Sequence, residues 1–174
     1  MTTRSFPATA AVLLALLLAQ GCGSDNSTDP GDDSTPALPT ELVGTWHLSQ
    51  AGDPICDPDT GECTQSFARS ETLELTDDGN FDHALFFESH LPPCSLVVHH
   101  QASGRAEASG TSLQLHISEG LTHVEDNCGD RGGDTNEAGN TETFTYQISD
   151  GTSGGPELML NDEEGTDIGP YERQ

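Results

Sequence analysis

The chain of 174 residues contains no lysine, and its five arginines stand against 30 acidic residues, for a formal charge of −25 at pH 7. A surface of that sign repels nucleic acid and anionic membrane, and offers no basic groove for phosphates. It attracts cations, basic peptides and basic proteins. Aromatic residues are scarce at 5%, with one tryptophan and two tyrosines. After residue 20 no apolar run approaches the roughly 18 residues of a membrane-spanning helix. No window shows a convincing 3.6-residue period, so there is no helix on which to place a His-x-x-x-His metal pair or a nucleophile elbow. Gly151-Thr152-Ser153-Gly154-Gly155 matches G-x-S-x-G but stands between two predicted strands, which makes it a turn. Walker loops and dinucleotide fingerprints are missing as well. The expectation is a protein that is not an enzyme.

What is present begins at the N-terminus. Arg4 precedes an apolar run from Ala8 to Ala19, and Gly21 stands directly before Cys22. The run, about 12 residues, suits the core of a secretory signal and is too short for a permanent span. The segment Leu18-Ala19-Gln20-Gly21-Cys22 resembles the lipobox of bacterial lipoproteins. That resemblance implies a signal peptide over 1–21, cleavage before Cys22, and acylation of Cys22 by chains such as palmitate. Two or three such chains anchor a protein stably where one does not. Gly23, rather than Asp, after the cysteine points to the outer membrane. The expected localisation is therefore a bacterial cell envelope, with the lipid membrane itself a partner through Cys22. Residues 22–39, rich in Gly, Ser, Pro and Asp, contain almost nothing that can be buried and read as a flexible acidic tether.

With Cys22 given to lipid, Cys56, Cys63, Cys94 and Cys128 remain, an even number in an oxidising compartment. Three pairings are open. Cys56 with Cys63 closes a short loop and leaves Cys94 with Cys128 as the preferred partition. A zinc site is the rival, but the interval between Cys56 and Cys63 fits no usual ligand spacing.

From residue 40 to 174 the apolar period is two. Gly44 to Leu48 forms a first strand. Leu73 and Leu75 alternate with polar residues before Asp78-Gly79, a tight-turn dipeptide. Phe81, His83, Leu85 and Phe87 share one face of the next strand, Leu96, Val98 and His100 a face of the one after. Leu113, Leu115 and Ile117, then Phe144, Tyr146 and Ile148, then Leu158 and Leu160 complete the series. Ala51 to Phe67 and Gly120 to Asn140 fit no element and are expected as loops tied down by disulfides. Seven or eight short antiparallel strands mean an all-β barrel or a β-sandwich.

Leu42-Val43-Gly44-Thr45-Trp46-His47-Leu48, followed by Leu73 to Phe81 with its Asp-Gly-x-Phe hairpin, resembles the opening of bacterial lipocalin-like lipoproteins. Tyr146-Gln147-Ile148, a turn, and Leu158-Met159-Leu160 are similar to their closing hairpin. The resemblance implies a lipocalin-like domain, an antiparallel up-and-down barrel of about eight strands with Trp46 plugging one end. It also implies a late arginine packed on that tryptophan, for which Arg173 is the candidate. The Thr-Asp-Tyr motif of true lipocalins is missing.

The leading functional expectation is binding of a small apolar or cationic ligand, with Leu85, Phe87, Leu96, Val98 and Tyr146 as lining residues, on a monomer. A second is an interaction protein with a solid barrel whose acidic loops meet a basic partner. A third is periplasmic metal binding. If the strands flanking His90-Leu91-Pro92-Pro93-Cys94 form a hairpin, matching apolar faces pairs Phe87 with Leu96 and Leu85 with Val98. His83 then stands opposite His100, within reach of one Zn²⁺ or Cu²⁺. No other cofactor is expected. Two acidic runs, Asp57-x-Asp59-x-Gly61 and Asp126 to Glu137, resemble calcium loops only in part.

Overall fold

The computed structural model describes residues 37–152 and 154–174. The signal peptide, Cys22 and nearly all of the tether lie outside the described residues, as does Ser153. Eight strands pair antiparallel in a closed cycle: β1 (Gly44–Ala51), β4 (Phe67–Leu75), β5 (Asn80–Leu91), β6 (Cys94–Ser109), β7 (Ser112–Asp126), β9 (Thr141–Asp150), β10 (Pro156–Asn161) and β11 (Asp167–Arg173), which returns to β1. β8 (Gly133–Asn136) adds to the far end of β7, beside β9, as one extra strand. β2 (Pro54–Cys56) and β3 (Cys63–Gln65) form a separate small hairpin. No helix occurs among the described residues. The domain is thus an all-β, closed up-and-down barrel, and the β-sandwich alternative falls because β6 pairs with β7 and β11 with β1.

Closure depends on a strand that the apolar pattern does not reveal. Leu158 and Leu160 do not end the series, since β11 follows and joins β10 to β1. Its sequence, Asp167 to Arg173, carries Pro170 and only two large apolar residues, Ile168 and Tyr171, so period-two alternation is faint there. The two expected loops are also partly ordered. The first holds the β2–β3 hairpin, and the second is shortened because β7 continues to Asp126. The alternation fails along β7 because a bulge opposite Ser103 and Gly104 shifts its phase. Ile117 faces the core, whereas Leu121 is turned outward and is 50% exposed. Gly104 is required at that bulge, as an added Cβ would lie 2.0 Å from the His116 carbonyl oxygen.

The β5–β6 register also differs from the one that matching apolar faces suggests. Phe87 pairs with Val98, Leu85 with His100 and His83 with Ala102. The turn holds just Pro92 and Pro93, with Leu91 opposite Cys94. Proline has no N–H for a ladder, so both prolines settle into the turn and the register moves by two residues.

Both disulfides form in the preferred partition, Cys56 with Cys63 across the β2–β3 hairpin and Cys94 with Cys128 between the β5–β6 turn and the end of β7. One end of the barrel is packed solid. Trp46, Leu48, Leu73, Leu75, Phe81, Leu113, Leu115, Leu158 and Tyr171 are all buried there, each large side chain contributing about 1.5–3 kcal/mol. The Trp46 indole donates to the Leu42 carbonyl at 2.8 Å. Leu38, within the stretch read as tether, is 5% exposed and joins this core with Leu42.

Candidate functional site

The inward stripe of β4 changes character halfway along. Leu75 and Leu73 belong to the core, and the same alternation then turns Glu71 and Arg69 inward. Glu71 is 3% exposed, a buried charge at the boundary between the packed end and the open end. Its carboxylate is fully used. Oε2 accepts from Arg69 Nε at 3.0 Å and Nη2 at 2.5 Å, and Oε1 accepts from His83 Nε2 at 2.8 Å and from the Tyr171 hydroxyl. Four donors exhaust what a carboxylate can accept. Burial works to raise the Glu71 pKa, but the hydrogen bonds from His83 and Tyr171 and the charges of His83 and Arg69 outweigh it, so it falls below the usual carboxylate value. Glu71 is therefore ionised, and His83 Nε2 must carry the proton it donates. Burial and the neighbouring Glu71 push the Tyr171 hydroxyl upward, keeping it a donor.

Above this layer the barrel is hollow. A cavity of about 520 Å³ opens at the mouth, walled by Leu73, Leu85, Leu115, Phe144, Leu160 and Ile168. A solid barrel is thereby excluded at this end. Apart from the histidines, the charged lining is acidic but for one arginine: Glu142 from β9 and Asp162, Glu163 and Glu164 from the β10–β11 turn join Glu71, and Arg69 is already paired.

His83 and His100 both line this cavity. They are diagonal rather than directly opposite, yet their rings meet edge to face with centroids 5.1 Å apart. A separate chain of hydrogen bonds orients His100. Thr122 donates its only hydroxyl proton to Glu137 Oε1 at 3.0 Å, so it can only accept from His100 Nδ1 at 2.8 Å. Asn140 steadies Glu137 from the other side at 2.7 Å. His100 is consequently the Nδ1–H tautomer. Burial, then the charge of His83, lowers its pKa and favours the neutral ring. Two buried nitrogens are left without a partner, His83 Nδ1 and His100 Nε2.

Of the five expected lining residues, Leu85 lines the cavity. Phe87 and Val98 pair across the projecting ends of β5 and β6, with Leu96 beyond them, and Phe87 stacks on Phe67 at 6.4 Å. Tyr146 packs against the core, its hydroxyl donating to the Gly110 carbonyl at the β6–β7 turn. The acidic runs are turn formers. Asp57 accepts from the backbone of Asp59 and Thr60, and Asp126 from Cys128 and Arg131. Among the described residues, no group of three or more His, Cys, Asp or Glu side chains is placed to hold a metal ion.

Glu71 and Arg69 went unnoticed in the sequence, although a signal exists: they continue the inward stripe of Leu75 and Leu73, where charge has no ordinary place. Tyr171 could not be found without β11. At the far end, Arg173 lies on Trp46 as the resemblance implied, its guanidinium carbon 5.3 Å from the ring centroid. No match is found among family models, curated proteins or solved structures.

Proposed function

We propose that this chain is a lipocalin-like lipoprotein of the bacterial cell envelope, anchored through acylated Cys22, whose barrel mouth binds a small cationic molecule with an apolar body. The observation that carries this reading is the cavity of about 520 Å³, whose walls are aliphatic and aromatic and whose free charges are all negative. An apolar body gains from those walls at roughly 25 cal/mol per Å² buried. A positive group gains from Glu142 and the Asp162–Glu164 turn, and a carboxylate or phosphate is repelled by them. Glu71 does not take part directly, because its four acceptor positions are filled. Its role is to fix Arg69, Tyr171 and His83 as a rigid floor.

The test is equilibrium dialysis of the full chain in lipid nanodiscs against two dyes that share an aromatic body, one bearing an ammonium and one a carboxylate. The expected result is saturable binding of the ammonium dye that Leu85→Arg weakens more than tenfold, with little binding of the carboxylate dye. Absence of saturable binding, or preference for the carboxylate, overturns the reading. The anchor is tested separately: Cys22→Ser should abolish palmitate incorporation and release the protein from the membrane fraction.

A further inference from the structure

We infer that His83 and His100 form a binding site for one late transition-metal ion, bound through His83 Nδ1 and His100 Nε2, with solvent or a ligand atom completing its coordination from the mouth. The inference rests on the mouth being an accessible cavity, and it assigns to that cavity an inorganic occupant.

The strongest ground is the way each ring is held. A metal-binding histidine usually donates its outer N–H to a carboxylate or another fixed acceptor, which sets the tautomer and aims the other nitrogen at the ion. His83 does this directly, giving Nε2–H to the ionised Glu71, itself clamped by Arg69 and Tyr171. His100 does it through one relay, giving Nδ1–H to Thr122, whose proton is committed to Glu137. Both supports come from other strands or their connections, so each ring is held from outside its own strand.

The nitrogens that this arrangement leaves over are the two buried, unpartnered atoms. A buried polar nitrogen without a partner is uncommon, because nothing replaces the water it has lost. Metal–nitrogen bonds of about 2.1 Å place the ring centroids of two imidazoles sharing one ion roughly 4.5–6.4 Å apart, from the right angle of a square-planar site to a linear one. The observed 5.1 Å lies inside that interval. Glu71, Glu137 and Glu142 surround the pair with negative charge, and the mouth supplies the entry path. Imidazole donors suit Cu²⁺ most and Zn²⁺ next. Two protein donors leave open positions, which is the arrangement of a site that presents its ion to a further ligand.

The experiment is titration of the full-length, detergent-solubilised chain with Cu²⁺, followed by electron paramagnetic resonance. The expected result is one tight equivalent with splitting from two imidazole nitrogens. His100→Ala and His83→Ala should each weaken it about 100-fold, and Thr122→Val, which removes only the support of His100, about 10–100-fold. The competing pair is His99 and His123, directly opposite each other on the outer face of β6 and β7. His99→Ala should leave the tight equivalent intact. If His83→Ala does not fold, His100→Ala and Thr122→Val carry the test. Tight binding that survives His100→Ala, or depends on His99, overturns the inference, as does the lack of a tight equivalent. Where the ammonium dye binds but Cu²⁺ does not, the organic-ligand reading stands and the metal site falls; where neither binds, both fall.

Discussion

Arg173 lies across the indole of Trp46, and the two residues are also direct partners in the β1–β11 ladder. The guanidinium further donates to the Val43 carbonyl. One side chain thus fastens the closing strand to the plugged end. It can do so because Gly44 has no side chain: a Cβ there would stand 2.8 Å from Arg173 Nε, on a backbone with φ of 145°.

Arg173→Ala is expected to lower unfolding free energy by about 1 kcal/mol, the scale of a partly exposed cation–π contact. Gly44→Ala should cost about 1–3 kcal/mol through backbone strain plus the clash. In the Arg173→Ala background only the strain remains, so the double variant should be more stable than the sum of the two losses predicts. Denaturant unfolding of all four proteins measures this coupling; strict additivity would contradict the geometry.

Glu71→Ala removes the acceptor shared by Arg69, His83 and Tyr171 and leaves a half-buried guanidinium unpaired. The expected loss is about 3–5 kcal/mol. The pH dependence has a defined sign. The folded pKa of Glu71 lies below its unfolded value of about 4.5, so its contribution is complete above that pH and disappears as pH falls through the folded value. Wild-type protein should lose stability below about pH 4.5 more steeply than Glu71→Gln, read as denaturation midpoints across a pH series.

His100 gives a second titration. Its folded pKa is lowered from 6.5, so protonation disfavours the folded state, and the stability it contributes is lost as pH drops from about 6.5 toward the folded value. Nitrogen-15 shifts of the ring should report the Nδ1–H tautomer at pH 7 and an apparent pKa below 6.5. Thr122→Val should disturb the tautomer ratio. An Nε2–H tautomer in the wild type would be incompatible with the Thr122–Glu137 relay.

The Cys94–Cys128 bridge joins the β5–β6 turn to a polar segment, Asn127 to Gly132, that buries nothing of its own. Its sequence separation of 34 corresponds to about 3–4 kcal/mol of loop-closure stabilisation. Cys94→Ser with Cys128→Ser should lower stability by that order and open the segment to proteolysis near Arg131. The Cys56–Cys63 bridge closes a loop of separation 7 and should contribute less. Equal losses from the two removals would argue against this account.

Trp46 as the plug was implied only by the family resemblance. The sequence by itself determined the all-β class and the tight turn at Asp78-Gly79, and favoured, among three open cysteine pairings, the one that forms. These follow from side-chain alternation, positive-φ residues and short-range spacing, which are local properties. Only the tertiary structure decided that the sheet closes, because closure rests on β11, whose Gly169 and Pro170 obscure its period. It also decided the β5–β6 register, since two adjacent prolines overrode the match of apolar faces. The floor of the mouth lay out of reach for the same reason. Glu71 and Tyr171 stand 100 residues apart, and it is the pairing of β1 with both β4 and β11 that brings one hydroxyl to one carboxylate.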